Sequence, residues 1–168
     1  EELLRRIKRA EIGKRPFQLF KPHLDDRYSK NQVASHSGLR KDCKVVSGAT
    51  EITEHTRTLD PCLVGIDEIQ FFKQGILNIV EGLLNRGFRI VVAGLDMDSE
   101  GRPFGPMPQL MAMANCVDKL TAVCSVCGDD ATHTYRKGDN SDQILVGASV
   151  DYEARCRTHW YLGRGESV

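Results

Sequence analysis

The sequence predicts an α/β fold, a parallel sheet covered by helices, joined to a small lobe that a metal ion would hold. Three observations carry this expectation. Leu63-Val64-Gly65-Ile66 is an apolar run ending in the adjacent carboxylates of Asp67 and Glu68, as expected of a short strand buried on both faces. Residues 89–96 form a second such run, again closed by an acid, Asp96. Between the two, Ile76, Leu77, Ile79, Val80, Leu83 and Leu84 recur at helical spacing with Gly87 as a C-terminal stop, so strand, helix and strand make one βαβ unit with a parallel pair. The third observation is a pair of short clamps, Cys124/Cys127 and Cys156/His159.

Taken in order, residues 1–10 read as a helix with Leu3, Leu4 and Ile7 on one face and Arg5, Arg6, Lys8 and Arg9 on the other. It starts without a capping residue or a preceding strand, so an upstream segment is expected. A Gly-rich phosphate loop ending in Lys-Ser or Lys-Thr would precede such a helix, and no such loop occurs in the 168 residues. Residues 17–22 read as a strand stopped by Pro22, followed by a polar turn carrying Asp25, Asp26 and Arg27. Residues 29–43 read as a mobile connection, 43–46 as a short strand and 49–55 as a helical turn or two. After residue 96 comes a Gly- and Pro-rich loop containing Phe104, then a helix beginning at Met107 or Pro108 and reaching Cys116. From Thr121 short β-prone pieces surround the Cys/His clamps. The expected division is an α/β domain over 1–120 and a metal lobe over 121–168, with a frayed tail from Gly163.

Composition excludes several classes. Hydrophobic residues make up 40% of the chain and charged residues 27%, as in a globular protein able to bury a core. No apolar run reaches membrane-spanning length and no signal peptide is evident, so a cytoplasmic protein without membrane partners is expected. The formal net charge is zero. Residues 1–44 hold 12 Lys/Arg against 6 Asp/Glu, which is read as a solvated helix face rather than a nucleic-acid patch.

Each clamp can take one side of a tetrahedral Zn²⁺. Four protein ligands leave no open position, so the metal is expected to fold the lobe rather than do chemistry. Cys43, Cys62 and Cys116 are read as plain buried residues. The acid pair at the strand end is where a phosphate–magnesium site of an open α/β sheet would be built.

With these pieces together the chain resembles the zinc-containing thymidine kinases. The matching stretches are residues 2–6, Lys21-Pro22 with Asp25 and Arg27-Tyr28, 65–72, Gly94-Leu95-Asp96 through Pro103-Phe104-Gly105, Cys124/Cys127, and Val146-Gly147 with 152–156. The resemblance implies a P-loop NTPase (RecA-like) parallel sheet with helices on both faces, plus a small zinc-ribbon-like lobe carrying a lasso loop. It implies Mg²⁺-dependent transfer of the ATP γ-phosphoryl group to the 5′-hydroxyl of deoxythymidine, with Glu68 as general base. Asp67 would hold Mg²⁺, Gln70 would line the nucleotide side, and Asp25 and Arg27 would lie near the phosphates and sugar. Phe71, Leu95 and Phe104 would pack on thymine. Gln143, Ile144, Leu145, Val146 and Gly147, with Tyr152, would form the lasso that reads the base edge. Cys124, Cys127, Cys156 and His159 would hold structural zinc. A cytosolic homotetramer inhibited by dTTP and serving thymidylate salvage for DNA synthesis also follows from the resemblance.

Two departures from the family pattern bear on this. Ser99 stands where the family usually has an aromatic residue, so weaker nucleoside binding is expected, because a stacked ring is worth about 0.5–1.5 kcal/mol beyond its area. Ala148 replaces a frequent glycine, with little expected consequence. The alternatives are another phosphotransferase or ATPase of the same fold, a catalytically inactive homologue, and a zinc-ribbon nucleic-acid-binding module. Residues 121–168 hold 5 Lys/Arg against 7 Asp/Glu, the wrong sign for a phosphate backbone.

Overall fold

The computed structural model describes residues 1–23, 32–34, 38–137 and 152–166. The chain divides into two compact units, Glu1–Leu95 with Gly105–Leu110, and Asp96–Phe104 with Met111–Val168.

The first unit is built on four parallel strands. Helix α1 (Glu2–Ile12) leads into β1 (Phe17–Pro22). A short antiparallel ribbon, β2 (Gln32–Ala34) with β3 (Arg40–Asp42), precedes β4 (Lys44–Val46). Helix α2 (Ala49–Thr56), β5 (Leu63–Ile66), α3 (Ile76–Asn85), β6 (Arg89–Val92) and α4 (Met107–Met113) follow. The sheet order is β4-β1-β5-β6, with every pairing parallel. This is the mixed α/β fold that the apolar runs predict.

Register explains how the helices find their places. Phe17, Leu63 and Arg89 are aligned, as are Leu19, Gly65 and Val91, and successive side chains alternate faces. Leu19 therefore packs with Leu3, Leu4 and Ile7 of α1 in one cluster. Gly65 lies on that same face, where a Cβ would sit 2.9 Å from Leu19 Cδ1 and 3.2 Å from Ile7 Cδ1 and Leu3 Cδ1. A larger residue there would overpack the cluster. The opposite face carries Phe20, Val64 and Ile66, all fully buried, with the Phe20 ring 6.0 Å from that of His55 in α2. Burying a side chain of this size contributes about 1.5–3 kcal/mol.

The ribbon replaces the mobile connection expected for residues 29–43, at least over its described parts. It is held by Lys21 Nζ donating to the Gln32 carbonyl at 2.8 Å, by Lys41 paired with Glu11 of α1 at 2.5 Å, and by Val33 buried in the α1 cluster. Short three-residue strands leave too weak an alternation to be read in advance. Gly87 has φ +85 after α3, as its stop role requires. Helix α4 ends at Met113, short of Cys116, which is exposed rather than buried. Cys43 and Cys62 are half-buried, and burial pushes both thiols up.

The second unit contains β7 (Ala122–Val123) paired with β8 (Asp130–Ala131), β9 (His133–Arg136) paired with β10 (Tyr152–Arg155), and α5 (Arg157–Gly163). Helix α5 was not expected: its seven residues carry only one buried side chain, Trp160, too few to set a helical period. No described helix is long and apolar enough to cross a membrane.

Candidate functional site

At the carboxyl ends of the parallel strands, β1 leaves toward β4 and β5 leaves toward β6, the kind of divergence at which α/β sheets bind ligands. Asp67 and Glu68 follow β5 at this point. The Asp67 amide donates to the Phe20 carbonyl at 2.9 Å, and that of Ile69 to the Ala93 carbonyl at 3.1 Å. The turn is thus fixed to the neighbouring strand on each side. Between these anchors Glu68 takes the left-handed conformation, φ +50 and ψ +39. Such a backbone costs a non-glycine residue on the order of 1 kcal/mol or more, and it concentrates at functional sites.

A single-turn helix, η1 (Ile69–Phe71), begins directly after Glu68. It places Gln70, almost wholly buried, so that its Nε2 donates to Glu68 Oε2 at 2.6 Å while its Oε1 accepts from the Leu95 amide at 3.2 Å. Two glycines make room for this amide. A Cβ at Gly94 would collide with Gln70 Oε1, and one at Gly105, where φ is +53, would collide with the Gln70 carbonyl oxygen. Phe71 is half-buried and Leu95 is 46% exposed.

Burial pushes both carboxyls above their usual range. For Glu68 the charge of Asp67 adds to the effect, while the Gln70 hydrogen bond and Lys21 oppose it. For Asp67, a backbone hydrogen bond to Glu68 and the charge of Lys21 oppose burial. Lys21 was quoted in the sequence without a role. Its position could have been found from register, since Phe20 aligns with Ile66 and so Lys21 neighbours the acid pair. A half-buried acid pair with raised proton affinity fits a divalent cation, whose charge would offset the cost of burying theirs. A cleft of about 590 Å³ lined by Arg5, Arg6, Arg9, Arg15 and Arg89 opens at the other ends of β5 and β6 and takes no part in this site.

In the second unit the two clamps converge. Cys124, Cys127, Cys156 and His159 bring their ligand atoms within 4.8 Å of one another. Cys156 Sγ lies 3.2 Å from His159 Nδ1 and 3.9 Å from Cys127 Sγ, and Cys124 Sγ lies 3.7 Å from His159 Nδ1. Zinc–sulfur bonds of about 2.3 Å and zinc–nitrogen bonds of about 2.0 Å in a tetrahedron call for separations of this size. Local structure explains the convergence. The Cys124 amide donates to the Asp129 carbonyl at 2.7 Å and the Gly128 amide to the Cys124 carbonyl at 2.9 Å, with Gly128 at φ +82 closing the turn. Cys156 caps α5, so His159 stands in its first turn. Burial pushes the Cys124 thiol up, but backbone N–H groups of Cys156, Cys127 and Val126 more than offset it and hold the thiol down to about 6. At its neighbour Cys127 a backbone hydrogen bond from Asp129 pulls the thiol down, but burial and side-chain hydrogen bonds to Cys124, Asp129 and Cys156 outweigh it and push the thiol up to about 11. In the absence of an ion the thiolate of the pair therefore resides on Cys124. The donor set fits structural zinc.

A family model described as thymidine kinase matches residues 1–160. The chain belongs to the thymidine kinase family. Thymidine kinase activity, with thymidine and ATP as substrates, is what this membership carries, and the Cys₃His cluster agrees with a zinc lobe.

Among the thymidine kinase site residues expected from sequence, Glu68, Gln70 and Leu95 are joined in one hydrogen-bonded group at the end of β5, with Asp67 directly before it. Ser99, Phe104, Tyr152 and the four metal ligands belong to the second unit. There the Phe104 amide donates to the Asp96 carbonyl at 3.0 Å, and Tyr152 opens β10, the strand that leads into Cys156. Asp25, Arg27 and residues 143–147 lie outside the described residues. Sequence reasoning gave Gln70 to the nucleotide side without foreseeing its bond to Glu68. The pattern Glu-x-Gln in a turn was the available signal, but the reach of Gln70 back to Glu68 depends on the left-handed turn.

Proposed function

We propose that this member of the thymidine kinase family transfers the γ-phosphoryl group of ATP to the 5′-hydroxyl of deoxythymidine, with Glu68 as general base. The observation that supports it is Glu68 itself, a carboxylate at a strand end with raised proton affinity and one oxygen fixed by Gln70. A base poised closer to neutrality accepts the hydroxyl proton more readily as the phosphoryl group arrives. Its left-handed backbone sets the direction in which the side chain leaves the turn. Gln70 keeps the carboxylate from swinging away.

Asp67 would hold Mg²⁺, which supplies charge neutralisation for the transferring phosphate. Lys21 adds a fixed positive charge beside both acids. We assign Phe71, Leu95, Ser99, Phe104 and Tyr152 to the nucleoside, and Asp25 and Arg27 to the phosphates and sugar. Residues 143–147 are assigned to the base edge. Zinc at Cys124, Cys127, Cys156 and His159 is structural in this reading. Thymidylate salvage in the cytoplasm by a homotetramer under dTTP feedback belongs to the same reading, supported by the family alone.

The test is a coupled ADP-release assay on the purified protein with and without thymidine. Release that requires thymidine and Mg²⁺, yields thymidine 5′-monophosphate and is lost in Glu68→Gln supports the proposal. ATP consumption independent of thymidine, or a Glu68→Gln variant of near-normal rate, overturns it.

A further inference from the structure

We propose that Trp160 is a positioning residue that couples the Cys₃His centre to the loop Asp96–Phe104, so that the metal sets the shape of that loop as well as of its own lobe. This rests on the assignment of Ser99 and Phe104, both in the loop, to nucleoside binding.

Trp160 directly follows the ligand His159 in α5, and its amide donates to the Cys156 carbonyl at 2.9 Å. Both clamping residues of the second pair therefore fix its backbone. The indole is buried, and its Nε1–H is shared between the Ser99 carbonyl and the Thr134 carbonyl, each at 3.2 Å. One donor thus bridges the loop and β9. The ring itself forms a floor for the loop: a Cβ at Gly101, where φ is +74, would lie 3.0 Å from Trp160 Cη2. His133 and Tyr161 pack against the other sides, at 5.0 and 5.1 Å between ring centroids.

The loop is suited to move as one piece. Asp98 is buried and accepts from the Glu100 amide at 2.9 Å, the Arg102 amide at 3.0 Å and Arg102 Nε at 3.0 Å. Met97 and Pro103 form an antiparallel bridge across its base. A knot of this kind has little internal freedom, so its placement depends on its attachments. Two ion pairs also reach the loop, Arg164 to Glu100 at 3.0 Å and Lys119 to Asp96 at 2.7 Å; each has one largely exposed partner and is correspondingly weak. The indole contact is buried and adjoins a metal ligand, and it carries the coupling.

The test is hydrogen exchange by mass spectrometry on the zinc-loaded protein, comparing wild type with Trp160→Phe, with zinc content and thymidine kinetics measured on the same samples. Phenylalanine keeps an apolar ring but loses the donor. The expected result is zinc still bound, exchange in residues 97–103 faster by about fivefold to tenfold, and a raised thymidine KM with kcat little changed. Unchanged exchange in 97–103 with zinc bound overturns the coupling. Should Trp160→Phe lose its metal or fail to fold, two further measurements decide. Gly101→Ala, which leaves every ligand in place, is expected to loosen the same segment. Chelation of wild type is expected to raise exchange in 97–103 together with 131–136. A loop that keeps its rate in both overturns the proposal. Faster loop exchange with an unchanged thymidine KM overturns the assignment of the loop to the nucleoside and leaves the coupling standing, and so does a wild-type loop that thymidine fails to protect.

Discussion

Gln70 Nε2 sits 2.6 Å from Glu68 Oε2, and the same side chain accepts the Leu95 amide through Oε1. One buried amide therefore ties the acid after β5 to the chain leaving β6. Removing it leaves a carboxylate and an N–H without this partner in a buried setting, which favours rearrangement over tolerance. Gln70→Ala is expected to lower kcat on the order of 10²-fold through misplacement of Glu68. Gln70→Glu, which sets a second negative charge against Glu68, is expected to be worse than Gln70→Ala. Steady-state kinetics on the two variants checks this ordering.

Glu68→Gln separates function from stability. Loss of a general base costs roughly 10²–10⁴-fold in rate. Stability moves the other way. Burial and the charge of Asp67 raise the Glu68 carboxyl above its ordinary 4.5, so the folded state binds this proton more tightly than the unfolded chain. Its contribution is fully present below pH 4.5 and is lost as pH rises through the folded-state value. The amide carries no charge to desolvate. Thermal melts in magnesium-free buffer are expected to show Glu68→Gln more stable than wild type at pH 8, with the advantage vanishing toward pH 4. A variant less stable at pH 8 contradicts the raised carboxyl.

The parts of the chain legible in the sequence are those where one physical cause dominates. Val64 and Ile66 are buried because nothing but apolar contact surrounds a central parallel strand. The two Cys/His clamps are recognisable because a tetrahedral ion demands that spacing. What escaped was set by tertiary partners. The β2–β3 ribbon depends on Lys21 reaching it from β1 and on its own Lys41 reaching Glu11 of α1. The Gln70 bridge depends on a positive φ at Glu68 that no residue preference announces. The sequence assigns Trp160 no role, because its contact with Ser99 spans 61 positions.

Gly94 and Gly105 make the clearance around Gln70 testable. Their missing side chains leave room for the amide oxygen and the backbone carbonyl of Gln70 respectively. Gly94→Ala is expected to destabilise by about 1–3 kcal/mol through overpacking and to lower activity by displacing Gln70. Gly105→Ala meets rigid backbone and a φ of +53 as well, so its loss of stability should be the larger. Urea unfolding of both variants gives the order. Equal and negligible effects would mean that Gln70 is not held where the hydrogen bonds place it.

Zinc dependence is expected to follow the ligands and no other thiol. Cys127→Ser removes one of four ligands and leaves three for an ion that structural sites hold with four. Because such a site forms with the fold around it, much of the binding free energy is folding free energy. Cys116 is exposed and stands outside the cluster, so Cys116→Ser is the matched control. Metal analysis is expected to find about one zinc per chain in wild type and Cys116→Ser, and little in Cys127→Ser. Trp160 is the only tryptophan in the sequence and is buried beside His159. Its emission should therefore shift to the red in Cys127→Ser, and in wild type on chelation, as water reaches the indole. Zinc retained in Cys127→Ser with unshifted emission would show that the lobe folds without this ligand.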